Sequence, residues 1–365
     1  MPLRPGVRER LNRVNIMRAV RGTTGIEGTQ LSEDEVGQIL ESADPVLESA
    51  RAREEKEARN AASVMDFVAQ TLGAEPNQPL TEELIKDIHF RTTQGIDYPH
   101  NTPGHYREHG VSAGTYFAPQ AASVPCLMQE FLAWLRSGPV REWPAAIRAV
   151  AAHFYLISIH PFGDGNGRTS RAVESFILYQ AGINALGFYS LANFYYRMRP
   201  EYFEMLDQTR FVHDGDLTEF VRFSLNGLLE ELEQVHAEAV QELTEIAFSD
   251  YARERLQRSG NLRSAVGERR LNLTLEATGA PIPLSALQEG THHASLLYRD
   301  RSSRTISRDL NYLEGAGLIV IEGDSIKANL DIMRQFTADP FPYPRTPGSP
   351  GDARASTSGA HPATH

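Results

Sequence analysis

Apolar residues recur at helical spacing along most of the first 260 positions, so the chain reads as a series of helices with one interruption. Leu11, Val14, Met17 and Val20, each three residues from the last, predict a helix over positions 9–42 that breaks near Gly25 to Gly28. It resumes after Leu31 with Ser32 as N-cap and Glu35 at the capping-box position. Residues 51–72 follow, with Ala58, Ala62, Met65, Phe67 and Val68 as core candidates, and then 81–95, opened by Thr81 and carrying Leu84, Ile85 and Ile88. Over 99–117 the texture changes to Gly, Pro, His and Tyr, with short alternation at 104–107 and 111–116 that predicts a hairpin. Helical spacing returns at 127–135, at 143–159, which is apolar nearly all round and predicts a central buried helix, and at 169–181. Residues 191–210 bring an aromatic stripe with Asn193, Tyr195, Tyr196 and Tyr202, and 216–258 read as one long amphipathic helix.

Between positions 159 and 172 the pattern breaks on His160-Pro161-Phe162-Gly163-Asp164-Gly165-Asn166-Gly167-Arg168-Thr169-Ser170-Arg171. Gly163, Gly165 and Gly167 carry no Cβ, so backbone N–H groups can turn inward and form an anion site continuing into the next helix. Arg168 and Arg171, three apart, share a helix face and can fork onto phosphate oxygens. Asp164 is a hard oxygen ligand suited to Mg²⁺ already held by phosphates. His160 is left as a general base on an incoming nucleophile. His89 and His153, single helical histidines, read as structural.

Composition narrows the picture. With 41% hydrophobic and 23% charged residues the chain is an ordinary globular one, and a net charge of −11 argues against coating nucleic acid or an anionic membrane along its length. One cysteine, Cys126, excludes an internal disulfide or a multi-cysteine metal site. With no apolar run long enough for a bilayer and no apolar leader after Met1, the expectation is a cytoplasmic protein with no membrane partner.

The loop resembles the Fic family signature HxFx(D/E)GNGRxxR at every specified position. The resemblance spans roughly residues 10–235 and implies an all-α fold: a Fic helical bundle with a β-hairpin flap. It implies AMP transfer from ATP, with Mg²⁺, to a Ser, Thr or Tyr hydroxyl of a protein, self-modification included. By the same resemblance His160 deprotonates the hydroxyl, Asp164 holds Mg²⁺, and Gly163, Gly165, Asn166 and Gly167 with Arg168 and Arg171 hold the phosphates. Arg171 lies nearest the γ-phosphate, and Phe162 anchors the loop. Thr23 through Gly28 matches the family's inhibitory motif (S/T)xxxE(G/N), which makes Glu27 an inhibitory residue reaching Arg171 in a forked pair; the plain alternative is a helix stop at Gly28. The 99–117 segment resembles the flap that pairs with a target strand, with Val111 and Tyr116 as docking positions. A tyrosine of the 191–210 stripe stacking on adenine also follows from the resemblance. The family's kinase-like branch carries a Lys where Gly167 stands, which argues against it here; removal of AMP by a Glu27-activated water stays open.

The expected division is an inhibitory region (1–50), a catalytic domain (51–258), a small α+β domain (259–337) and a disordered tail (338–365) rich in Pro, Gly, Ser and Thr. In the third part, short helices around 269–277, 283–289 and 303–315 precede a β-like pair at 318–322 and 325–328 across Gly323-Asp324. This order resembles a winged helix-turn-helix, and Arg299, Arg301, Arg304 and Arg308 could meet duplex DNA. Asp300, Asp309 and Glu314 among them tip the balance toward a protein contact, and a nucleotide-sensing DNA regulator is kept as an alternative. Homodimerisation is open.

Overall fold

The computed structural model describes residues 5–183, 191–258, 260 and 264–334. The chain forms two compact units, Met1–Val240 and Gln241–His365. The tail expected to be disordered lies outside the described residues.

The first unit is helical. In order come α1 (Pro5–Ile26), α2 (Glu33–Glu41), α3 (Ala52–Ala74) and α4 (Glu82–Thr93), a two-stranded hairpin β1–β2 (Ser112–Ala113, Tyr116–Phe117), then α5 (Val124–Leu135), α6 (Gly138–Arg141), α7 (Ala145–Ile159), α8 (Asn166–Gln180), α9 (Ala192–Arg197), α10 (Arg199–Phe211) and α11 (Thr218–Arg258), whose first part belongs here. α7 is buried on nearly every side, with Ala149, Val150, Ala151, Ala152, Leu156 and Ile159 in the core, as its unbroken apolar run requires. It packs on α8, and the two helices meet at the His160–Gly165 loop.

Helix boundaries follow the sequence expectation at α1 and α2 and depart from it where proline intervenes. The expected break near Gly25 to Gly28 is where α1 ends, and up to that point Gly25 lies against the Tyr196 ring and Gly22 against the Ala192 backbone, so close packing on α9 offsets the poor helix propensity of glycine. α1 closes as a Schellman turn, with Thr29 N–H bonding Thr24 O at 3.3 Å, Gly28 N–H bonding Gly25 O at 3.0 Å, and Gly28 at φ 109°. α2 carries the full Ser32–Glu35 capping box. The 191–210 stretch is two helices, because Pro200 suits the first turn of α10 but not a helix interior. The aromatic stripe is mostly core: Tyr195 and Tyr202 are 0% and 1% exposed and form a buried polar network with His153, Glu174 and Ser224.

The second unit holds the rest of α11, α12 (Ala265–Glu276), α13 (Leu284–Glu289), α14 (Ser303–Gly315) and α15 (Asp331–Arg334), with β3 (Ile282–Pro283), β4 (Ile319–Glu322) and β5 (Ser325–Ala328). The three strands form an antiparallel sheet in the order β3-β5-β4, with Ile326 opposite both Ile282 and Ile321. Its core includes Phe248, Leu256, Leu273, Leu287, Leu310, Leu313 and Ile326.

Candidate active site

His160 closes α7 in a left-handed conformation, φ 52° and ψ 58°, which costs a non-glycine residue roughly 1–2 kcal/mol. Such strain at a chemically capable side chain suggests a functional constraint. Its Nδ1 lies 3.1 Å from the Ile157 carbonyl, an acceptor only, so Nδ1 carries the proton and Nε2 keeps its lone pair. Burial holds the His160 pKa below the ordinary histidine value, which keeps the ring neutral near pH 7.

The loop is braced from several sides. Phe162 is fully buried and stacks on His89 at 3.7 Å between ring centroids. His89 accepts a bond from Gly104 N–H at Nδ1 and donates from Nε2 to the Asp164 carbonyl, one neutral tautomer serving both; burial pushes its pKa down to about 4. The histidine read as structural is therefore a prop under the loop. Arg107, 4% exposed, donates to the carbonyls of His160, His109 and Pro119 and so ties the hairpin to the loop, a role no local pattern signals. The Asn166 side chain is committed to the N–H and carbonyl of Phe162, both at 2.9 Å, which leaves its backbone N–H for any anion.

α8 begins at Asn166 with Gly165 as N-cap at φ 73°, a position suited to glycine. The N–H groups of Asn166, Gly167 and Arg168 have no carbonyl a turn earlier within the helix, so the positive helix end offers an anion site beside His160. Gly163 abuts the His100 carbonyl, where a Cβ has no room. Arg168 and Arg171 are 6% and 2% exposed, so both guanidiniums belong to the site and not to the bulk surface. Asp164 takes bonds from Gly165 N–H at 2.5 Å and Arg168 Nη2 at 3.1 Å on Oδ1. Its side chain is 40% exposed, and Oδ2 has no donor among the described residues. No group of three or more His, Cys, Asp or Glu placed to hold a metal ion occurs among the described residues, and the open Oδ2 of Asp164 is a hard oxygen that fits a cation such as Mg²⁺.

Glu27 stands at the end of α1, 35% exposed, and its Oε1 accepts from Arg171 Nη2 at 2.7 Å. The pair is single, not forked: the other Arg171 bonds go to Thr23, Nε to its hydroxyl at 3.0 Å and Nη2 to its carbonyl at 2.9 Å. Thr23 and Glu27, the two ends of the motif, thus grip one arginine. A Cβ on Gly167 would collide with Glu27 Oε1, so the carboxylate lies directly on the α8 N-terminus. Burial alone would raise the Glu27 pKa, but Arg171 and Arg168 outweigh it and hold the carboxyl below its usual range, hence ionised.

The hairpin is shorter than expected. Residues 104–107 form no strand, and β1 pairs with β2 through Ser112–Phe117 and Ala113–Tyr116 alone, the Gly/Pro content leaving little regular backbone. Tyr116 donates to the Ser158 carbonyl at 2.8 Å under the Arg210 guanidinium, while Val111 lends its carbonyl to Ala118 N–H. Phe117 is 82% exposed. Of the tyrosines considered for base stacking, Tyr195 and Tyr202 are sealed in the core, and Tyr196 sits on Gly25 and Arg21. The exposed ring in this region is Phe203, 43% exposed beside Arg199, whose Nε bonds the Ile26 carbonyl next to Glu27. Its helical phase puts it on the outer face, a position that periodicity alone signals.

Comparison with known proteins bears on the fold that carries this site. Residues 79–178 match the Fic/DOC family, a span that contains the loop but not Glu27. A protein adenylyltransferase Fic of Aedes aegypti is 30% identical over 201 residues, 55% of this chain and 38% of that protein; the chain thus spans well under half of that relative. Among solved structures, a Fic domain containing signaling protein from Bacteroides thetaiotaomicron superposes with a TM-score of 0.56 at 21% identity, over 66% of this chain and 92% of that one. A Fic family protein from Desulfovibrio desulfuricans does so with a TM-score of 0.54 at 20% identity, over 87% of each. The helical Fic fold is therefore shared.

Proposed function

We propose that this chain transfers AMP from ATP to a hydroxyl side chain of a target protein, and that Glu27 restrains it. The observation that carries this reading is a neutral His160, with Nε2 unprotonated, beside a helix N-terminus that presents two buried arginines. The relative in Aedes aegypti bears the name of that activity. The target oxygen attacks the α-phosphorus, His160 Nε2 takes its proton, the bond to the β-phosphate breaks, and pyrophosphate leaves. Backbone N–H groups of the α8 first turn with Arg168 and Arg171 stabilise the charge spread over the phosphate chain. Held by Asp164, Mg²⁺ would neutralise phosphate charge. The backbone edge of β1–β2 offers a target segment a strand to pair with, so Val111 and Tyr116 act by holding that edge in place.

Labelled ATP tests the reading. Label from the α-phosphate should appear on a target or on the chain itself, and label from the γ-phosphate should not; the reverse would make it a kinase. Loss of existing AMP label to water, released as free AMP, would favour the hydrolytic removal of AMP. Asp164→Ala should weaken ATP binding about tenfold or more in Mg²⁺ and little in EDTA, as calorimetry can read. Equal loss in both conditions would remove the metal role.

For the second unit a duplex-binding reading gains from one observation. Asp309, which stands among the arginines in sequence, is 1% exposed and held by Arg269 and Arg270, so it does not cancel charge on the outer face of α14. Arg299, Arg301, Arg304 and Arg308 are exposed and have no ion pair among the described residues. With α12 to α14 followed by the β4–β5 hairpin, we read the unit as a winged helix-turn-helix with α14 facing the duplex. Duplex affinity should fall steeply with salt, and the double variant Arg304→Ala, Arg308→Ala should reduce the log–log slope by about 2. A salt-insensitive or absent anisotropy change would leave a protein partner as the reading.

A further inference from the structure

Glu57 on α3 belongs to no motif, yet it is 7% exposed and its carboxylate joins three other segments. Oε2 accepts from the Thr29 hydroxyl at 2.8 Å, and Oε1 accepts from the Tyr98 hydroxyl at 2.7 Å and Arg53 Nε at 3.1 Å. The Tyr98 hydroxyl in turn accepts from Arg168 Nη1 at 2.6 Å, and that nitrogen lies 3.6 Å from Glu57 Oε1. Thr29 is the second residue after Glu27 and closes the Schellman turn of α1. Thr23, Glu57, Arg168 and Arg171 also line one cavity of about 30 Å³, so the carboxylate and both arginines border the same space.

The charges explain why a third carboxylate is needed. Arg168 is almost fully buried and must keep an anionic partner. Asp164 is one such partner, 3.1 Å from Arg168 Nη2, and is also the carboxylate that would meet a cation; Glu27 adds negative charge nearby while pairing with Arg171. Glu57 lies within ion-pair reach of Arg168 independently of those two carboxylates, and Tyr98 fixes the direction of the guanidinium by accepting from one of its nitrogens. Burial alone would raise the Glu57 pKa, but Arg168 and the bonds from Tyr98, Thr29 and Arg53 hold it below the ordinary range, so it stays anionic.

We propose that Glu57 is a positioning residue with two attachments: through Tyr98 it sets Arg168 for the phosphate chain, and through Thr29 it anchors the segment that leaves Glu27. The nucleotide site and its inhibitory clamp then share one buried carboxylate. This rests on the reading of Arg168 as a phosphate ligand and Glu27 as an inhibitor.

The test uses the full chain. Tyr98→Phe keeps the ring and removes the relay; in a Glu27→Gly background it should raise the calorimetric Kd and the KM for Mg–ATP about tenfold with kcat nearly unchanged. Glu57→Gln, which keeps shape and acceptor but not charge, should fall between wild type and Tyr98→Phe. Thr29→Val, which removes a hydroxyl at nearly constant shape, should raise incorporation of α-label about tenfold when Glu27 is present and change nothing when Glu27 is glycine. A merely structural Glu57 would instead lower the melting temperature of all three without the KM–kcat split or the dependence on Glu27. Unchanged ATP affinity in Tyr98→Phe overturns the Arg168 attachment. Absence of release by Thr29→Val, in a chain that Glu27→Gly does release, overturns the second. If Glu27→Gly itself releases nothing, the inhibitory reading fails separately, and the Kd for Mg–ATP still decides the Arg168 attachment.

Discussion

A His160→Ala variant, measured in a Glu27→Gly background so that there is activity to lose, is expected to drop AMP transfer by roughly 10²–10⁴-fold, with ATP affinity within about twofold. The expectation follows from what the imidazole touches. Among the described residues its ring bonds to the Ile157 carbonyl of its own helix, while the anion site is built from backbone N–H groups and arginines that the substitution leaves in place. The pH dependence adds a second check. A general base must be unprotonated, and the His160 pKa lies below the ordinary histidine value because of burial, so the acid limb of kcat/KM should fall below pH 6.5. Removing Glu27, a nearby negative charge that raises this pKa, moves the limb further down. Undiminished transfer by His160→Ala, or an acid limb above pH 7, would end the assignment.

Glu27→Gly is expected to raise α-label incorporation on the order of a hundredfold, onto the chain itself as well as onto targets. The Glu27–Arg171 contact is a charge-assisted bond with both partners held, one by the end of α1 and the other by Thr23, and such bonds contribute about 1.5–3 kcal/mol. The carboxylate also lies against Gly167, in the space where a phosphate would approach the α8 N-terminus. Adding Arg171→Ala should erase the gain, because a freed arginine is what the release supplies. Mild acid should not mimic the variant: the Glu27 pKa is depressed, so the clamp is fully present above the usual carboxylate pKa and is lost only as pH falls through that lowered value. Gly28→Ala is the control for the plain helix-stop reading. At φ 109° it should strain the Schellman turn and lower the melting temperature without matching the activation. A Glu27→Gly protein that folds and is no more active than wild type would remove the switch.

The chain's local patterns were enough to determine much of this. Periodicity located the helices, the Ser32–Glu35 pair located a helix start, and the run from His160 to Arg171 marked the candidate site, because a base, a carboxylate, glycines and arginines within a dozen positions need no distant partner to be legible. The Thr23–Gly28 segment was legible locally too: Gly28 both stops α1 and sets Glu27 at its end. Only the tertiary structure decided what each group is bonded to. Arg171 meets Thr23 and Glu27 across nearly 150 positions, Asp309 turns inward to Arg269 and Arg270, and Tyr195 and Tyr202 go to the core while Phe203 stays outside. Glu57 and Arg107 carry no pattern at all, since a buried charge is placed by partners that arrive from other segments. Desolvation makes those partners obligatory, and which donor reaches which carboxylate depends on how the helices pack, a property that spacing along one helix does not contain.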